Sequence, residues 1–120
     1  MTDVLLVEDE RDVADLVEEA LMDVGLSVDV AYDDQSAYAK LEREAPTIAA
    51  LVADINLGAG TTGFDVARRA RQLNRTLKVV YITGHAAHLN RFGVDGAVMF
   101  PKPFNPHELA EEVLAMAGTP

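Results

Sequence analysis

The 120-residue chain carries 20 acidic against 10 basic residues, a formal charge of −10, and no cysteine. That length suits one domain with a single core, and a surface this acidic repels phosphate backbones, which argues against direct nucleic-acid binding. Without cysteine there is no disulfide or thiolate metal site, and the longest apolar run, residues 48–53, is far too short to span a bilayer.

No basic-plus-apolar leader precedes Asp3, so a cytoplasmic location is expected. Residues 4–7 (VLLV) form a compact apolar run followed by an acidic pair. Val13, Leu16, Val17, Ala20, Leu21 and Val24 then recur at helix spacing, and Gly25 supplies the stop. Residues 28–31 predict a second strand, and Asp34 caps a helix running through Glu44 with Ala37, Tyr38, Leu41 and Ala45 inward.

Residues 48–53 (IAALVA) are apolar on both faces, as a central parallel strand should be. A loop reading LGAGTTG leads to a helix from about Phe64 to Leu73, and residues 78–82 (KVVYI) form the fourth strand. Between residues 84 and 96 only Leu89 and Phe92 offer anchors, which predicts a short or mobile helix. The fifth strand covers 97–100, and Asn105 or Pro106 starts a last helix with Leu109, Val113, Leu114 and Ala117 inward. Strand and helix alternate throughout with short connections. This predicts an α/β fold, a doubly wound five-stranded parallel sheet with helices on both faces, as one domain over 1–120.

Ligands of such sheets bind at the carboxyl ends of the strands. Glu8 and Asp9 stand there after the first strand, Asp54 and Asn56 after the third, Thr83 after the fourth and Lys102 after the fifth. Each has a plain structural explanation alone: Asp9 as a helix cap, Asp54 as a turn residue, Thr83 as a cap for the Gly84 turn, Lys102 as a solvated strand end. Together they put three carboxylates, a hydroxyl and an ammonium on one rim. Clustered carboxylates must protonate, pair or hold a cation, and hard oxygen donors suit Mg²⁺. Such a metal usually shares its site with a phosphate. That makes Asp54 a candidate nucleophile forming an acyl phosphate, with Lys102 and Thr83 placed to meet the phosphoryl oxygens.

The ordered set Glu8-Asp9, Asp54, Thr83 and Lys102-Pro103 resembles the receiver domain of two-component response regulators over essentially the whole chain. The resemblance implies a flavodoxin-like sheet of order 2-1-3-4-5. It also implies phosphoryl transfer to Asp54 from a histidine kinase or histidine phosphotransfer protein. Mg²⁺ would be held by the side chains of Asp9 and Asp54, the carbonyl of Asn56 and, through water, Glu8. Lys102 would pair with the phosphoryl group, its bond to Pro103 would be cis, and a downstream protein would read the change. No enzymatic role is implied beyond self-catalysed phosphoryl transfer and autodephosphorylation.

Several features depart from the family pattern. The loop INLGAGTTGFD is one residue longer than usual and has Gly58 in place of the common proline. Met99 stands three residues before the lysine, where Tyr or Phe is usual, and Phe100 is expected to face the other side of the strand. Gly84 and His85 follow the threonine, where alanine and a variable residue are common. The competing readings are a degenerate receiver acting as a phosphorylation-independent interaction module, a Mg²⁺-dependent phosphatase and an FMN carrier. The phosphatase needs an acid where Asn56 stands. The FMN carrier needs a Ser/Thr/Gly cradle where Glu8 and Asp9 stand. A stand-alone receiver and a portion of a larger regulator fit the sequence equally.

Overall fold

The computed structural model describes residues 2–57, 62–84 and 93–117. In chain order these form β1 (Val4–Val7), α1 (Arg11–Asp23), β2 (Val28–Ala31), α2 (Asp34–Glu44), a 3₁₀ turn (Ala45–Thr47), β3 (Ala50–Asp54), α3 (Gly63–Leu73), β4 (Lys78–Thr83), β5 (Val98–Pro101) and α4 (Pro106–Ala117). The strands pair in parallel in the order β2-β1-β3-β4-β5, as expected. The helix expected between 84 and 96 lies largely outside the described residues, as do Gly58 and His85. Among the described residues no helix is long and apolar enough to cross a membrane.

Strand alternation sorts the sheet's side chains into two apolar layers. Leu5, Val7, Leu51, Ala53, Val79 and Tyr81 pack under α2 and α3, whereas Val4, Leu6, Ala50, Val52, Val80 and Ile82 pack under α1 and α4. The central strands β1 and β3 are buried along their whole length. The edge strand β5 is only half-buried, and its Met99 and Phe100 join opposite layers.

Helix ends correct several sequence expectations. Asp33, not Asp34, caps α2: its Oδ1 accepts the Ser36 amide at 2.7 Å, while the Asp34 carboxylate accepts from Gln35. The last helix starts at Pro106, one of the two starts expected, and Asn105 caps it by accepting the amides of His107 and Glu108. The inward face of α1 is Ala14, Val17, Ala20 and Leu21, and Leu16 is 57% exposed rather than buried. Residues 48 and 49 precede β3, which instead runs on through Asp54.

Candidate functional site

Parallel pairing brings the carboxyl ends of β1 and β3 side by side, Val7 opposite Ala53. The next residues, Glu8 and Asp54, therefore emerge together, and both are buried. One carboxylate oxygen each from Glu8, Asp9 and Asp54 lies within 4.8 Å of the others. Asp9 is exposed and does not cap α1, whose N-cap residue is Glu10 with no side-chain bond. The capping explanation for Asp9 is thereby removed.

Glu8 carries the most telling electrostatics. Its Oε2 accepts the Glu10 amide at 3.2 Å, but among the described residues its buried Oε1 has no partner. Burial, reinforced by the negative charge of Asp54, pushes the Glu8 carboxyl up to about 8. A buried acid with an orphan oxygen beside two further carboxylates is a group short of a cation. Hard oxygen donors without sulfur or imidazole suit Mg²⁺, so the residues present fit that metal.

Asp54 is 3% exposed and held from two sides. Its Oδ1 accepts the Asn56 amide at 2.9 Å, and its Oδ2 accepts from Lys102 Nζ at 2.9 Å. Partial burial alone would depress the Lys102 ammonium, but the hydrogen bond and charge of Asp54, with Glu8 and Glu10 behind it, outweigh burial and hold it above its ordinary value. The lysine reaches the site because β5 ends beside β4. Its amide donates to the Thr83 carbonyl at 2.8 Å, and the Lys102–Pro103 bond is cis. Thr83 itself is buried at the end of β4. All six residues singled out from the sequence thus stand at one end of the sheet.

Two contributors were not singled out. Gly63 opens α3 directly against Asp54: a Cβ built there would lie 2.4 Å from the Asp54 carbonyl oxygen. Only glycine permits this approach, and the Gly63 amide uses it to donate to the Ile55 carbonyl at 2.9 Å. Thr62 and Asp65 then close a reciprocal cap on α3. The Thr-x-x-Asp spacing was visible in the sequence; which glycine of the loop meets Asp54 was not.

The second is Tyr81, fully buried on β4 directly opposite Met99. Its ring meets Phe64 edge-on at 4.9 Å, and its hydroxyl accepts the Val94 amide at 3.1 Å. Burial pushes its phenol up, so it stays protonated at neutral pH. The aromatic ring absent at Met99 is therefore present on the neighbouring strand, two residues before Thr83 and in the layer that also holds Met99.

Beside Lys102 an apolar groove of about 440 Å³ runs between α1 and the start of α4, lined by Val13, Leu16, Val17, Pro103, Phe104 and Pro106. Glu10 and Lys102 form its polar end. The outward Leu16 belongs to this groove.

Residues 4–114 match the response regulator receiver domain, and the chain belongs to that family. It is 35% identical over 115 residues to transcriptional regulatory protein TctD of Salmonella typhimurium, covering 93% of this chain and 50% of that protein. It is 32% identical to response regulator receiver protein CpdR of Brucella abortus, covering 97% of each. The crystal structure of a response regulator receiver protein from Sinorhizobium medicae superposes with a TM-score of 0.88 at 30% identity, covering 97% of this chain and 94% of that one. The chain spans about half the length of TctD. It is a receiver domain of the response-regulator kind, with the fold of that family.

Proposed function

We propose that Asp54 is the phosphoacceptor and that Glu8, Asp9, Asp54 and the Asn56 carbonyl hold Mg²⁺ beside it. The observation that carries this reading is the buried Asp54 carboxylate, set between two other acids and a lysine Nζ at 2.9 Å. An Asp54 carboxylate oxygen attacks the phosphorus of a phosphohistidine or small acyl phosphate. A P–O bond forms as the P–N or P–O bond to the donor breaks, and the donor leaves with the electron pair. Mg²⁺, when bound, neutralises the carboxylates and the charge of the transferred group. Lys102 turns from Asp54 Oδ2 to the phosphoryl oxygens, and the Thr83 hydroxyl donates to one of them. The chain transfers and then hydrolyses its own phosphoryl group rather than turning over a substrate.

The apolar groove adjoining Lys102 gives a kinase or histidine phosphotransfer protein a seat that points its histidine at Asp54. Its occupant covers Leu16, whose exposure has no role inside the fold. Phosphorylation-dependent contact with a further protein is the output, and the setting is cytoplasmic, as is general for response regulators. Incubation with acetyl phosphate and Mg²⁺ should add one phosphoryl mass to the wild type and none to Asp54→Asn or to an EDTA-treated sample. A stable gain in Asp54→Asn would sink the assignment. A well-folded wild type that never gains mass would favour the phosphorylation-independent module.

A further inference from the structure

Half of the chain's basic residues are concentrated in one place. Arg68, Arg69, Arg71, Arg75 and Lys78 account for 5 of the 10, with no acid between them, in a chain of net charge −10. Cations in the last turn of a helix complement its dipole, and that would explain one or two of them. Arg71 serves there, its Nε donating to the Leu77 carbonyl at 2.6 Å. Arg68 pairs with Asp65, and Arg69 pairs with Glu42 and reaches Gln72. Arg75 has no hydrogen bond or ion pair among the described residues, and the bond from Arg71 uses only its Nε.

These side chains form a groove. Arg68, Arg71, Gln72, Arg75 and Val94 line a space of about 530 Å³, and among the described residues no acid contributes to it. It is separate from the phosphoacceptor rim. The helix α3 begins at Asp54 and runs away from it, so Arg71 and Arg75 lie toward the far end of the sheet, near the start of β4. We propose that this groove binds an acidic segment of a partner protein, with carboxylates on the guanidinium groups of Arg71 and Arg75 and an apolar side chain on Val94. A planar guanidinium matches a carboxylate through two parallel bonds, and the Gln72 amide can add a neutral one. The surrounding charge selects against a long polyphosphate, which the rest of the acidic surface repels. A short acidic segment places its charge only where the arginines are.

The probe is a fluorescein-labelled peptide of glutamate and leucine, titrated against the whole chain by anisotropy. Binding should saturate, weaken as salt is raised, and weaken about tenfold in Arg75→Gln, the scale of one charge-assisted contact. The double variant Arg71→Gln/Arg75→Gln should bind more weakly still. Arg75→Gln leaves the Leu77 contact intact, so its effect is not one of misfolding, and circular dichroism checks this. Lys40→Gln, on α2 and paired with Asp29, should bind as the wild type does. Equal binding by Arg75→Gln and wild type, or no saturable binding, overturns the proposal. Tighter binding of a single-stranded oligonucleotide of equal charge overturns it in favour of a nucleic-acid surface.

Discussion

The two sides of the acidic rim are built differently. On the β1–β3 side, Glu8 and Asp54 rise from strands buried along their whole length, and Gly63 packs α3 onto the Asp54 backbone. On the β4–β5 side, Lys102 stands beyond a half-buried edge strand and is itself 31% exposed. The acids are fixed and mutually repelling, whereas the cation that answers them sits where the packing is lightest. The packed strands fix the acids, and the half-buried edge holds the cation.

The sharpest way to break this contrast is Gly63→Ala. The added methyl must meet the Asp54 carbonyl oxygen, backbone against backbone, and neither can retreat without opening β3 or α3. A loss of about 3 kcal/mol is expected from overpacking at this site, read as a lowered urea midpoint. At the β4 end, Gly84 has no described atom within 4 Å of such a methyl. Gly84→Ala should stay within about 0.5 kcal/mol of wild type. Equal losses at both glycines would remove the distinction between a packed and a loose side.

A second test uses the pH response of Glu8. Its folded value of about 8 lies above the ordinary 4.5, so the folded chain retains a proton that the unfolded chain releases between those limits. The stability Glu8 confers without metal is therefore full below pH 4.5 and is lost as pH rises through about 8. Melting curves in EDTA should fall across that window in the wild type and lie flatter in Glu8→Gln. Mg²⁺ binding should run the other way, strengthening with pH because the cation requires the carboxylate. Calorimetry in buffers of different ionisation enthalpy would report the proton released, and its absence would remove Glu8 from the metal set. Asp9→Ala, which takes away an exposed acid that caps nothing, should weaken Mg²⁺ about tenfold and barely move the metal-free melt.

A smaller loss than at Gly63 is expected at Tyr81. Tyr81→Phe keeps the ring against Phe64 but orphans the Val94 amide, a loss of about 1 kcal/mol. The Val94 amide should exchange faster with solvent. Beryllofluoride, a phosphoryl mimic, should protect that amide in Met99→Ala but not in Tyr81→Phe. If Met99→Ala alone abolishes the protection, the response at Val94 depends on the methionine and not on the Tyr81 hydroxyl.

Much of this was legible in the sequence, because strand ends are written by where apolar runs stop. VLLV halts at Glu8 and IAALVA at Asp54, so both acids could be assigned to one rim before any contact was known. The spacing points to Asp34 as the cap of α2, one residue too far, because Asp33 and Asp34 are adjacent and equally fit to cap; only backbone angles separate them. Periodicity puts Leu16 inward because it shares the spacing of Val13 and Val17, and it cannot see a groove that leaves an apolar side chain uncovered. Gly63 was one of three glycines within a short loop, and its constraint comes from a strand it does not adjoin in sequence. Tyr81 read simply as strand core, and its pairing with Met99 depends on the β4–β5 register.

The ion pair between Lys102 and Asp54 has one more consequence. On the proposed reading, the ammonium that neutralises the resting carboxylate is the one that later faces the phosphoryl oxygens. Modification is then an exchange of counter-ions rather than the creation of a bare charge. The lysine is never solitary in either state, and its side chain need only pivot to trade one oxyanion for another. A local swivel of this kind leaves the fixed acids undisturbed and delivers its displacement to the lightly packed edge of the sheet.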